Sequence, residues 1–426
     1  MRTLLVLPLL FTAIYCNSQT AWTWEELDSL PERVSNNAVT FGKDETNDYV
    51  FSFGGIDSTK IHSGINKRAY RYTISTNNWE EIAPLPFALS NIASAASTVK
   101  NTIYIFGGYH VNPGGGEISS NEVIRYSPIT NSYLTNGTAI PIPIDDHIQC
   151  VWQDSLIFLI TGWSNTGNVP NVQIYDAELD SWQVGTATPN TNDYKAFGAS
   201  GEIIGDTIYY YGGASTGVNF PARKILRKGV INAENPTEIT WTILEEGPNT
   251  LYRSAALHYE NNMFWLGGSA TSYNYNGIAY NGTGGVNPLT QIMRYDQTNA
   301  YWYAGEGAPY GVMDLRGIAQ INATQWIVCG GMETDQFVSR KSFLLTYDPL
   351  VGGIKNENTT ENKIVIIDRD IRINGLPNEI LLLNANGQIV ANIAIENPKI
   401  PSHFTGFYIV QIKMNNAIIT EKIILD

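Results

Sequence analysis

At 426 residues the chain is long enough for two or three domains of roughly 150 residues each. Charged residues make up only 15% and hydrophobic ones 43%, with 24 Tyr, 10 Trp and 38 Gly, which excludes both a coiled coil and a disordered chain. A net charge of −14 with no run of Lys or Arg repels phosphate backbones and anionic membrane surfaces, so nucleic acid is excluded as a partner.

The chain opens with Met1-Arg2, an apolar run from Leu4 to Ile14, and the small or polar residues Cys16-Asn17-Ser18. That order predicts a signal peptide over residues 1–18, cleaved after Ser18. Tyr15 is bulky where lipoprotein processing at Cys16 would need a small residue. The apolar run is too short to span a bilayer, and no other stretch reaches 18 apolar residues, so no transmembrane segment is expected. The mature chain keeps two cysteines, Cys150 and Cys329, too few for a disulfide scaffold and expected as buried free thiols.

Next comes a repeat. Apolar strands end in a Gly pair at Gly54-Gly55, Gly107-Gly108, Gly212-Gly213, Gly267-Gly268 and Gly330-Gly331, and a degenerate copy, Thr161-Gly162, fills the one gap. A second marker follows in phase: Tyr72-Trp79-Pro86, Tyr175-Trp182-Pro189 and Tyr295-Trp302-Pro309, with half-copies Trp241-Pro248 and Tyr126-Tyr133. Each unit holds four short β-rich runs divided by turn clusters. The glycines suit backbone with φ > 0 or close approach, and the aromatics would fill the space between neighbouring units.

These markers resemble the Kelch repeat, and the resemblance covers roughly residues 22–350. It implies an all-β fold in which each unit is one four-stranded blade of a β-propeller. The sixth unit lacks its Trp, Ile354 standing in the expected place, whereas Trp24 to Pro31 matches Trp79 to Pro86 almost residue for residue. The N-terminal strand is therefore expected to complete the sixth blade and close a six-bladed ring, removing exposed edges.

Residues 351–360 read as a polar linker. Over 361–426 apolar and polar residues alternate, and Asn386-Gly387 sits between two such runs as a hairpin signal, predicting a small β-sandwich of about seven strands. The runs LLLNANGQIV (381–390), GFYIVQI (406–412) and EKIILD (421–426) resemble the C-terminal type IX secretion sorting domain of Bacteroidetes. That resemblance implies the type IX secretion machinery as a partner and a secreted or cell-surface location. An ordinary adhesive sandwich is the other reading.

Strand counting locates the candidate site. In a blade with strands a to d, the b–c loops and the d–a crossovers emerge on one face, and the Gly pairs end strand b. The b–c loops 109–121, 163–170, 214–222 and 269–290 are long, so the variable surface lies there. Just before each inner strand stand Asn37, Asn91, His147, Lys195, Arg253 and Arg316, a possible cationic ring at the channel mouth able to bind a carboxylate or sulfate such as an acidic sugar. The alternative is pairing with Asp146, Asp193 and Asp314. Tyr109, Trp163, Tyr273, Tyr275 and Tyr280 in the loops would stack on sugar rings or contact a protein, or else pack on the propeller face.

The ligand expected is accordingly a glycan or a protein. Signs of catalysis are few. Gly213 to Gly217 matches G-x-S-x-G without the strand-turn-helix setting that motif needs. His62, His110, His147, His258 and His403 show no paired metal spacing, so neither metal nor cofactor is expected, and the chemistry of Kelch copper oxidases is set aside. The chain also resembles sialic-acid mutarotases, exported six-bladed Kelch propellers. That alternative would ask Glu117 or Asp335 to act as acid/base beside Arg253 or Arg316, without a local motif to support it.

Overall fold

A computed structural model of the protein describes residues 21–349 and 364–425, the latter apart from 368, 374–376, 385, 386, 397, 415 and 416. The expected signal peptide and linker lie outside the described residues. The chain divides into two compact units, the second beginning at Gly353. Among the described residues there is no α-helix, only three single-turn 3-10 segments, and no helix is long and apolar enough to cross a membrane.

The first unit contains six four-stranded antiparallel sheets, numbered here I to VI along the chain. Sheet I runs Ala38–Lys43, Asp48–Ile56, Ile65–Thr73, Asn78–Ile82, each strand beside its sequence neighbour. The innermost strands of sheets II to VI are Ala95–Val99, Ile148–Trp152, Phe197–Ile204, Ala255–Tyr259 and Ala319–Asn322. Sheet VI takes its outer strand from the other end of the chain: Trp22–Leu27 pairs antiparallel with Ser342–Tyr347, in the register Trp22↔Tyr347 and Trp24↔Leu345.

The repeat markers have distinct physical jobs. Gly107 adopts φ 62°, and a Cβ there would meet the carbonyl oxygen of Ile144, at the crossover entering sheet III. The close approach is used, because Gly108 donates its N–H to that same oxygen at 3.0 Å. Thr161 shows what the degenerate copy costs, holding φ 46° without being glycine. Its hydroxyl donates to the Val169 carbonyl at 2.8 Å, which helps hold the left-handed turn.

Tyr and Trp of the second marker form cross-strand pairs. Tyr175 and Trp182 stand opposite one another with ring centroids 5.0 Å apart. Tyr175 also meets Phe106 of sheet II edge-on at 5.4 Å, so the pair seals one sheet against the preceding one. Trp182 Nε1 donates to the Thr138 carbonyl at 2.8 Å, giving the indole a polar partner at its wet end. Tyr72–Trp79 and Tyr295–Trp302 repeat the arrangement, each at 5.2 Å. Cys150 and Cys329 are free and buried, on inner regions of sheets III and VI.

In the second unit, a four-stranded sheet has the order Ile389–Ile393, Glu379–Asn384, Gly406–Met414, Ala417–Leu425, and a two-stranded sheet pairs Ile364–Ile367 with Asp370–Ile373. That makes six strands among the described residues, against about seven expected. Ile371 of the small sheet packs with Ile380, Leu382, Ile393, Val410 and Ile412 of the large one, the apolar members of the sequence alternation. Gly387, at φ 75°, makes the turn between Glu379–Asn384 and Ile389–Ile393; its predicted partner Asn386 lies outside the described residues.

Candidate functional site

Each inner strand of the first unit is entered through, or opens with, a residue in left-handed backbone: Asn36 (φ 57°), Ala93 (61°), Asp146 (47°), Gly198 (65°), Arg253 (47°) and Asp314 (62°). In five of them the conformation turns the residue's own N–H towards the neighbouring crossover, and after Asp314 it is Leu315 that donates. Asn36 N–H donates to Asp314 O (3.0 Å), Asp146 to Ala93 O (3.2 Å), Gly198 to Asp146 O (2.8 Å), Arg253 to Gly198 O (2.8 Å) and Leu315 to Arg253 O (3.1 Å). The remaining link runs from Ala93 N–H to the side-chain Oδ1 of Asn36, at 2.8 Å. Six links make a closed annulus. Only one of these six residues is glycine, so strain of roughly 1 kcal/mol at each of the others is offset by the hydrogen bonds it makes possible.

Charged side chains fill the annulus. Arg253, 1% exposed, grips Asp146 with a fork, Nε to Oδ1 at 3.1 Å and Nη2 to Oδ2 at 2.5 Å, and reaches Asp314 Oδ1 with Nη1 at 3.0 Å. Asp314 also accepts from Ser35 Oγ and Asn36 Nδ2, both at 2.7 Å. Arg316 lies 3.5 Å from Asp146 Oδ1 and donates to the His147 carbonyl at 2.9 Å. Two guanidiniums therefore face two carboxylates in a buried plug across one end of the channel.

Of the two expectations for these residues, pairing with Asp146 and Asp314 is the one the side-chain geometry follows. Arg253, Arg316, His147 and Asn91 are buried, and the pairing that consumes the arginines runs between sheets rather than to sequence neighbours. Burial first, then Arg316, pushes His147 down to about 3, so its ring is neutral, with Nε2 3.0 Å from Gln149 Oε1. Asn37 is buried too, donating to Ser52 Oγ at 2.8 Å. Lys195 is half-buried outside the annulus, while its neighbour Asp193 pairs with Arg223 at 2.5 Å.

The loop aromatics divide into two groups. Tyr109 and Tyr273 are buried in an apolar cluster with Ile56, Phe197, Tyr252 and Met313 that covers the annulus from the loop side, the packing alternative stated for them. Trp163, Tyr275 and Tyr280 pack on the margin of that cluster and are partly buried. Phe220 joins them, 5.5 Å from Trp163 and 5.0 Å from Tyr280. Sequence reasoning named the 214–222 loop but not Phe220. Asn165, Thr166, Asn219 and Asn281, close to these rings in sequence, are exposed.

On the other side of the plug the six inner strands enclose a channel of about 410 Å³. Thr40, Thr98, Gln149, Ser200, Glu202 and His258 are among its lining residues. Neighbouring walls are tied by Thr40–Thr98 at 3.0 Å, Gln149–Ser97 at 2.8 Å and Ser200–Ser254 at 2.7 Å. Burial pushes Glu202 up to about 8 and His258 below its ordinary value, so at neutral pH this wall is polar and largely uncharged. Sequence reading missed Glu202; its signal is a lone acid within the otherwise small or apolar run Phe197 to Ile204.

Glu117, in the short strand Glu117–Ser119, and Asp335, in a 3-10 turn, are exposed, and no hydrogen bond or ion pair among the described residues joins them to Arg253 or Arg316. Ser215 of the G-x-S-x-G match is buried. Among the described residues no group of three or more His, Cys, Asp or Glu could hold a metal ion.

Four-stranded sheets whose Gly pairs, Tyr-Trp pairs and inner strands recur in phase around one channel define a Kelch-type β-propeller. Residues 50–335 match the Attractin/LZTR1 β-propeller model, and the chain belongs to that family. Kelch-like protein 7 of Mus musculus is 27% identical over 129 residues, which is 30% of this chain but only 20% of that protein. N-acetylneuraminate epimerase of Pasteurella multocida is 22% identical over 326 residues, 64% of this chain and 81% of that enzyme. The solved structure of YjhT superposes with a TM-score of 0.60 at 16% identity, covering 82% of this chain and 99% of that one, a likeness of fold.

Proposed function

We propose that the protein is an exported binding module whose loop face takes a glycan. The six sheets are the blades of one ring closed by the strand Trp22–Leu27. The observation that carries the reading is the partly buried set Trp163, Phe220, Tyr275 and Tyr280, seated on a buried cluster. Amphipathic rings held by packing lose little entropy on binding, and the exposed Asn and Thr side chains close to them in sequence suit sugar hydroxyls. Trp163→Ala and Tyr280→Ala are each expected to weaken an oligosaccharide selected on a glycan array about tenfold, the equivalent of roughly 1.4 kcal/mol. Calorimetric titration checks this, and unchanged affinity in both variants would sink the reading.

A second reading is an enzyme acting like the N-acetylneuraminate epimerase to which the chain is similar over 326 residues. Arg253 is taken up by Asp146 and Asp314 in it, whereas Arg316 lines the channel and lies 3.5 Å from Asp146. The acid the chain offers is Glu202 in the channel, neutral at pH 7 and able to donate a proton. Accelerated anomer exchange of N-acetylneuraminate by NMR, lost in Glu202→Gln, would favour this reading over the first.

Export rests on the signal peptide over 1–18 and on 361–426 acting as a type IX sorting β-sandwich. The buried alternation Ile380, Leu382, Val410, Ile412 supports a folded tail that could be recognised as a unit. Fused to a neutral cargo, 361–426 is expected to send it to the cell surface or medium of a type IX-competent host. Cargo held in the periplasm would refute the assignment.

A further inference from the structure

We propose that a groove at the margin of the loop face, where Arg33, Arg68 and Arg340 converge, binds the carboxylate or sulfate groups of an acidic oligosaccharide. The inference deepens the glycan reading and rests on it for the rest of the ligand. The groove has a volume of about 340 Å³, and Glu32, Asp57 and Ser58 also line it. Its segments are a crossover (31–33), two b–c loops (57–64 and 330–341) of the kind that carries the partly buried aromatics, and the strand Ile65–Thr73, which supplies Arg68.

The charges there are not mutually consumed. Elsewhere in this acidic chain basic groups commonly sit against carboxylates, as in Arg71–Glu80 at 2.5 Å, Lys100–Glu178 at 2.8 Å and Lys341–Glu333 at 3.0 Å. In the groove Arg68 pairs with Glu32. Asp57 turns its Oδ1 to the N–H and hydroxyl of Thr59, at 2.9 and 2.5 Å. Neither Arg33 nor Arg340 has an ion-pair partner among the described residues. Arg33 is nevertheless fixed: Nη1 donates to the Val338 carbonyl at 3.1 Å, and the guanidinium lies 4.1 Å from the centre of the Phe337 ring. A guanidinium already held by stacking, with N–H groups unused, is a preorganised fork for a planar or tetrahedral oxyanion. Exposed Arg340 supplies the second cation, and half-exposed Phe337 an apolar wall.

The test titrates the full chain with a tetragalacturonate, a sulfated galactan tetrasaccharide and the neutral galactan tetrasaccharide, at about 50 and about 200 mM salt. At least one acidic probe should bind about tenfold or more tighter than the neutral one, with the advantage shrinking at high salt. Arg340→Ala, at an exposed position where folding is not at stake, should remove most of that advantage, and Arg33→Lys should reduce it by losing the fork. The stronger of the two acidic probes identifies carboxylate or sulfate as the group recognised. Equal binding of acidic and neutral probes, or an acidic preference unchanged in Arg340→Ala and Arg33→Lys, overturns the groove while leaving a Trp163-sensitive glycan site standing. Acid-dependent binding lost in Arg340→Ala but untouched by Trp163→Ala and Tyr280→Ala supports the groove and overturns the aromatic site instead.

Discussion

Arg253→Ala is expected to lower the free energy of unfolding by about 3–5 kcal/mol, the range for removing one partner of a buried ion pair. The loss comes from what remains. Asp146 and Asp314, 2% and 0% exposed, would be left buried without the three N–H donors that Arg253 supplies. Asp314 would retain Ser35 and Asn36 as donors, and Asp146 only the longer contact to Arg316. Arg253→Lys would recover little, since one ammonium cannot reproduce a two-pronged grip on Asp146 and reach Asp314 as well. Arg253→Met combined with Asp146→Asn and Asp314→Asn should recover much of the loss, because neutral groups carry no comparable desolvation penalty. Denaturant titrations of the three variants read these differences. A loss below about 1 kcal/mol in Arg253→Ala would mean that water reaches the plug and that the mouth is open after all.

That prediction turns on the feature sequence reading handled least well. Gly pairs and Tyr-Trp pairs are legible because each job is local: a left-handed turn at Gly107, a cross-strand ring pair at Tyr175 and Trp182. Repetition then multiplies a weak signal. Sheet VI was legible for the same reason, since Trp24 to Pro31 repeats Trp79 to Pro86. The plug obeys no local rule. Arg253 finds Asp146 107 residues away and Asp314 61 residues away, because the ring brings together the starts of inner strands from different repeats. Charge listing could place these residues near one mouth, but not decide whether they face solvent or each other. Burial of Tyr109 and Tyr273 was hidden in the same way, since loops of different sheets cover one another. Arg33 and Arg340 escaped notice because they lie at opposite ends of the first unit's sequence and converge only when sheet VI is completed by both ends.

Glu202→Gln is expected to stabilise the protein above neutral pH, with an effect that follows from the direction of the Glu202 shift. Burial raises the carboxyl from 4.5 to about 8. Between those values the folded chain holds a proton that the unfolded chain has released. Stability therefore falls as pH rises through this window and levels off above about 8. Glu202 lies in a channel and is only partly buried by area, so the full penalty is put at about 2–4 kcal/mol. His147 and His258 act oppositely: their lowered values make stability rise with pH until the unfolded imidazoles lose their protons near 6.5. The parent alone would thus show a compensated profile at acid pH, and the difference between variant and parent isolates the carboxyl. That difference should be close to zero at pH 4, grow through pH 6 and 7, and reach its full value by pH 9, as read from denaturation midpoints at each pH. A difference that does not change with pH would place Glu202 in bulk-like water. A variant less stable than the parent at pH 9 would mean that the ionised carboxylate is held by a partner, and that the channel wall is not the neutral surface its residues describe.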